Sequence, residues 1–145
     1  MTNYKILSIS VGHKAIEGGK HFCRPAPVFH VEAFPQNLPL CLGININTPN
    51  EDAPYIITME VFSEISGTSS TVNKWMQPVE VNVISNEEGF CVTRHVFSIA
   101  QNEVNEAGLH VFRVTLWDGN PGAPGTTKRD EMSEYFVVSS TWEGE

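Results

Sequence analysis

Apolar and polar residues alternate along most of this chain, and the alternation has a period of two. The clearest run is Gly108–Trp117, where His110, Phe112, Val114 and Leu116 share one parity. Side chains of an extended strand point alternately to opposite faces, so this run predicts a central strand with one buried face. Leu38–Ile46 repeats the pattern through Leu38, Leu40, Leu42, Ile44 and Ile46. Pro54–Ile65 does so through Tyr55, Ile57, Met59, Val61 and Ile65, with Thr58, Glu60 and Glu64 opposite and Phe62 as the apolar exception on that polar side. Tyr4–Val11, Pro27–Ala33 (an edge strand, flanked by prolines), Val79–Ile84, Phe90–Ile99 and Ser133–Trp142 complete a set of about eight strands. Phe90–Ile99 is apolar on both faces, which suits a position inside a sheet.

Between these runs the composition turns to Gly, Pro, Ser, Asn and acidic residues. Ser85–Gly89 is the best tight-turn candidate, Gly12–Ala26 reads as a loop or irregular edge, and Ala100–Ala107 as a helical turn or simple connection. Two longer connections are expected at 66–78, carrying Trp75 and Met76, and at Asp118–Met132. No apolar period of 3.6 is long enough for a core helix, so crossover helices are absent and a parallel α/β sheet is excluded. The expected fold is all-β: a single antiparallel β-sandwich domain spanning 1–145, with immunoglobulin-like or related Greek-key topology.

The residues Glu106-Ala107-Gly108-Leu109-His110-Val111-Phe112-Arg113-Val114 carry a resemblance. They are similar to the turn and strand start of immunoglobulin-like sandwiches, where an aromatic corner residue precedes a core position by two. The resemblance places His110 at the tyrosine-corner position and Phe112 where antibody domains carry their second cysteine. Both depart from the antibody pattern, so that disulfide is not implied. A likeness at fold level brings no function with it.

Composition narrows the classes. Nine Lys and Arg against seventeen Asp and Glu give a net charge of −8, which disfavours a nucleic-acid partner. The amino terminus has no basic region followed by an apolar stretch, and no apolar run reaches the roughly 20 residues of a membrane span. A soluble cytoplasmic protein is expected. The three cysteines, Cys23, Cys41 and Cys91, are an odd and sparse set, expected to be reduced.

Candidate chemistry is thin. His21-Phe22-Cys23, with His13 and His30 to either side, lacks the second short-spaced pair that zinc needs. Cys91 and His95 on one extended strand would stand ~13 Å apart, too far for a nucleophile and its base. His95 and His110 could meet if their strands were neighbours. The acids Glu87/Glu88 and Asp130/Glu131 are adjacent in sequence with nothing to raise one pKa. The glycines of 119–125 follow a strand without opening a helix, so no phosphate loop is implied. No catalytic, cofactor or metal residues are assigned.

What remains is surface. The expected function is a non-enzymatic protein-interaction module, a small binder, inhibitor or adaptor of bacterial or phage type, whose partner is another protein. Its expected contact residues are Trp75, Met76, Trp117, Asp118, Lys128, Arg129 and Asp130, in and beside the two long connections. The rival readings are a homo-oligomeric structural subunit, associating through Phe62 or the edge Val28–Val31, and a ligand-binding or metal-dependent protein using His21/Cys23 or His95/His110.

Overall fold

A computed structural model describes residues 4–66, 69–73 and 77–141. Strands follow one another as β1 (Lys5–Glu17), β2 (Lys20–Pro25), β3 (Val28–His30), β4 (Gln36–Asn37), β5 (Leu40–Thr48), β6 (Ile56–Ser63), β7 (Ser69–Asn73), β8 (Glu80–Glu87), β9 (Phe90–Ile99), β10 (Glu103–Val104), β11 (Gly108–Trp117) and β12 (Lys128–Ser139). Two five-stranded sheets face each other. Sheet A has the order β2-β1-β5-β9-β8 and sheet B the order β3-β12-β11-β6-β7, while β4 and β10 form a separate ribbon. Pairing is antiparallel except between β3 and β12. The chain crosses between sheets from β5 to β6, β7 to β8 and β9 to β11, which makes a Greek-key sandwich. Among the described residues no helix is long and apolar enough to cross a membrane.

The core lies where the period-two patterns meet. Leu40, Leu42, Ile44 and Ile46 of β5 and Phe97 and Ile99 of β9 pack against Ile57, Met59 and Val61 of β6 and Phe112, Val114 and Leu116 of β11. β11 is the centre of sheet B, hydrogen-bonded along its length to β6 and β12. His110 is buried at its start. Its Nδ1 lies 3.1 Å from the Gly108 carbonyl, which can only accept, so Nδ1 carries the proton. The His110 ring stacks on Phe136 at 5.4 Å.

Four expectations are corrected. The segment after Val11 is an edge and not a loop: β1 runs on to Glu17, and β2 returns along it through a two-residue turn at Gly18-Gly19, whose φ values of 60° and 80° suit a type I′ hairpin. The stretch 128–132 is not loop either but the first part of β12, paired with β11. Among the described residues the strands number twelve rather than eight, because β2, β4, β7 and β10 lie outside the eight expected runs. Ala100–Ala107 holds the short strand β10 and no helical turn.

The hairpin β1–β2 does not extend sheet A flat. β1 pairs with β5 from Lys5 to Gly12 and with β2 from Gly12 to Glu17, so Gly12 is the hinge between its two partners. A Cβ at Gly12 would stand 1.8 Å from the Arg24 carbonyl oxygen, so only glycine lets β2 cross there. β2 then lies over the outer face of sheet A, where the His21 amide donates to Glu80 Oε1 on β8 at 3.2 Å. This cover explains the two-sided apolar character of β9. Val96, on the outer face opposite Gly43, is buried like the residues of the inner face.

Candidate functional site

The cross-strand register of sheet B sets out its outer face as a grid. Residues directly opposite in neighbouring strands share a face. One row is Val28 (β3), Val137 (β12) and Leu109 (β11), and the next is Tyr135 (β12), Val111 (β11) and Phe62 (β6). Val28, Val137, Leu109 and Tyr135 are exposed, whereas Val111 is buried between its flanking aromatic neighbours. Then comes a charged row, in which the Arg113 guanidinium lies 4.9 Å from the centre of the Phe62 ring and 3.5 Å from Glu60 Oε1. Beyond it stand Thr115 and Thr58, then Trp117. The face is thus apolar at one end and polar in the middle, with an indole at the far end.

Trp117 is half-buried, and its indole N–H donates to Thr58 Oγ1 at 3.0 Å. With Thr58, Thr115, Arg113, Glu60, Pro121 and Gly122 it lines a groove of about 450 Å³. Tryptophan and arginine are among the residue types from which protein contacts draw most of their energy.

The other expected contact residues have different work. Asp118 accepts from the Thr127 amide at 2.8 Å, the Thr127 hydroxyl at 2.9 Å and Arg129 Nε at 2.7 Å. The two Thr127 bonds, and then Arg129, hold the Asp118 carboxyl below its ordinary pKa. They also close the connection 118–127 onto itself, together with the Ala123 amide bonded to the Asn120 carbonyl. The Arg129 guanidinium lies over the Tyr4 ring at 5.4 Å. Asp130 points inward, where its Oδ2 accepts the buried Ile6 amide at 2.8 Å and stands 3.5 Å from Lys5 Nζ, tying sheet B to β1. Lys128 pairs with Glu131 at 3.5 Å. Trp75 and Met76 lie outside the described residues.

The histidine and cysteine candidates separate. His95 and His110 are not on neighbouring strands: β9 belongs to sheet A and β11 to sheet B. His95 is buried with Nε2 2.7 Å from the Tyr55 hydroxyl, and burial pushes its pKa down to about 4. Cys91 is buried on the same strand. The His13 ring packs on Phe29 at 4.9 Å. His21 and Cys23 both line a second groove, of about 430 Å³, between β2 and the outer face of sheet A. Among the described residues no three His, Cys, Asp or Glu side chains cluster closely enough to hold a metal ion. All three cysteines are free thiols.

The sequence reading missed the apolar rows of sheet B because Leu109 and Val137 become neighbours only through the register. The signal for β2 was present. Gly18-Gly19 between Ala15-Ile16-Glu17 and Lys20-His21-Phe22 is the two-residue hairpin pattern. In comparisons with known proteins, no family model matches the chain and no curated protein is similar to it.

Proposed function

We propose that this chain is an immunoglobulin-like recognition module that binds another protein through the outer face of sheet B. The observation that carries the reading is the pair of apolar rows Val28-Val137-Leu109 and Tyr135-Val111-Phe62, bordered by Arg113, Glu60, Thr58 and Thr115. An exposed apolar patch with a polar rim is the composition of a protein contact surface, and isolated surface apolar residues do not form such rows. Trp117 and its groove extend the surface and offer a slot for one side chain of the partner. The connection 118–127 is closed onto itself through Asp118 and is not itself the main contact.

The immunoglobulin-like assignment rests on strand order. With β2, β3, β4, β7 and β10 set aside, β1-β5-β9-β8 opposes β12-β11-β6, the same order as the ABED and GFC sheets of a constant-type domain. The His110 side chain bonds back to the Gly108 backbone, in the manner of the corner tyrosine.

Capture of the partner from cells that make the protein, followed by binding measurements with variants, tests the proposal. Tyr135→Lys is expected to weaken binding tenfold or more, and Ser8→Lys on sheet A to leave it unchanged. Equal binding by wild type and Tyr135→Lys overturns the reading. A self-associating subunit is the second reading, favoured by Val81, Val83 and Ile84, all exposed on the terminal strand β8, and by the exposed Val79 just before it. Light scattering on wild type and Val81→Lys distinguishes it. A dimer broken by the lysine supports self-association through β8.

A further inference from the structure

The fold brings Cys23 and Cys41 together although they sit on opposite sides of β1. Cys23 pairs with Lys14 on one edge of that strand and Cys41 with Gly12 on the other. In a flat sheet their strands would be ~9.6 Å apart. The crossing of β2 at Gly12 closes that gap. The Cys23 thiol donates to the Cys41 carbonyl at 3.2 Å, and the Cys41 thiol to the carbonyl of Phe22, the residue before Cys23, at 3.8 Å. Gly43 supplies the floor, because a Cβ there would stand 2.7 Å from Ser10 Oγ and 3.3 Å from Cys23 Cβ. Cys23 is half-buried and opens into the groove lined by Lys20, His21, Arg94 and Glu17, whereas Cys41 is buried beneath it.

We propose that Cys23 and Cys41 form a thiol oxidation site, in which Cys23 reacts with small hydroperoxides and Cys41 resolves the product to an intramolecular disulfide. The Cys23 thiolate attacks the terminal oxygen of the hydroperoxide. A sulfur–oxygen bond forms, the oxygen–oxygen bond breaks, and the departing alkoxide or hydroxide takes a proton from water. Cys41 then loses its proton and attacks the Cys23 sulfenic sulfur. The disulfide forms, and the hydroxide that leaves combines with that proton as water. Two thiols lose two electrons, and the hydroperoxide is reduced to an alcohol, or to water, with one further water.

The surroundings suit each role. Once Cys23 is ionised, the Cys41 thiol proton turns to it from the Phe22 carbonyl; this bond and those from the Ser10 hydroxyl and the Gly43 amide outweigh burial, bringing the Cys23 pKa down to about 7. A substantial thiolate fraction is therefore present at neutral pH, and the thiolate is the reactive form. The hydrogen bond to Cys23 and burial hold Cys41 protonated. Oxidation of Cys23 removes the thiolate whose charge helps to hold that proton, so Cys41 becomes the better nucleophile only after the first step. The groove reaches Cys23 and not Cys41, which fixes the order.

The test treats the intact chain with hydrogen peroxide and maps its peptides without reduction. A Cys23–Cys41 linked peptide, with Cys91 still a thiol, is expected. In Cys41→Ser the same treatment should leave a Cys23 sulfenic acid that dimedone traps, and Cys23→Ser should protect Cys41. Alkylation of Cys23 by iodoacetamide, followed against pH on the wild-type protein, gives a readout independent of any variant's folding, with a midpoint near 7. Disulfides between chains, oxidation of Cys91 at the same rate, or a Cys23 midpoint at the ordinary value near 8.5 would each overturn the proposal.

Discussion

Asp130 stood among the expected contact residues, but the structure gives it an internal task whose loss can be sized. Its Oδ2 accepts the amide of Ile6, which is 1% exposed, at 2.8 Å. Asp130→Ala removes the acceptor and leaves that donor in the core rim without a partner. A buried unsatisfied donor costs about 1–3 kcal/mol. The Lys5 pair at 3.5 Å adds little, because the lysine is 64% exposed and such pairs are worth ~0–1 kcal/mol. For a chain of this size 1 kcal/mol corresponds to roughly 3–4 °C in Tm. The variant should therefore melt roughly 3–10 °C below wild type, and its denaturant midpoint should move with an unchanged slope. Asp130→Asn keeps an oxygen in place and should recover most of the loss. Binding of the captured partner should be unaffected in either variant below its melting range. An Asp130→Ala protein as stable as wild type but unable to bind would refute this assignment and return Asp130 to the contact surface.

Other outcomes follow from the same geometry. His95 is buried, with its pKa down to about 4 against about 6.5 when unfolded, so the unfolded chain binds the extra proton first. Stability should be full above pH 6.5, fall by up to about 3 kcal/mol as pH drops to 4, and level off below. Denaturant titrations should show that loss reduced in His95→Gln. Gly12→Ala forces a Cβ against the Arg24 carbonyl and should destabilise by roughly 1–3 kcal/mol. It should also slow formation of the Cys23–Cys41 disulfide, measured by peptide mapping. Trp117→Phe loses the indole bond to Thr58 at a cost of about 1 kcal/mol, read by thermal melting, while its ring still fills the groove. Arg113→Ala uncovers the Phe62 ring and leaves Glu60 without that ion pair, and calorimetry should show weaker partner binding with stability within about 1 kcal/mol.

The strands that the sequence identifies best are those with one wet and one dry face. β5 and β11 bury every second residue along most of their length, so their parity can be read directly. β12 was found only from Ser133 onward. Its first half, Lys128-Arg129-Asp130-Glu131, has no apolar alternation and is held by the backbone ladder to β11 and by the side chains of Asp130 and Lys128. Backbone pairing does not depend on side-chain polarity, so period-two reasoning cannot see such a segment. The hairpin turn at Gly18-Gly19 could have been read, but β1 beyond Val11 leaves Ile16 61% exposed and so lacks a clean buried face.

The sites are harder to see than the strands because they are made by register and curl. Tyr135 meets Val111 and Phe62 only after β6, β11 and β12 are aligned, and a shift of one residue in any of these strands would turn its member of the row to the other face. Cys23 and Cys41 are separated by a strand in the sheet order and meet because β2 folds over at Gly12. Trp117 is named as an expected contact from residue type and position alone. Asp118 reads as the start of a loop and Arg129 and Asp130 as part of its charged tip, because nothing local reveals that their partners are Thr127, Tyr4 and Ile6.

The recognition face of sheet B is tested most directly by photocrosslinking. Benzoylphenylalanine is placed at Tyr135 in one protein and at Ile16, also exposed but on the hairpin of sheet A, in another. Both are irradiated in cells that make the protein. The account predicts one discrete adduct with another protein from position 135, absent from position 16 and lost on adding Phe62→Lys. An adduct from position 16 alone, or the same adducts from both, would contradict it.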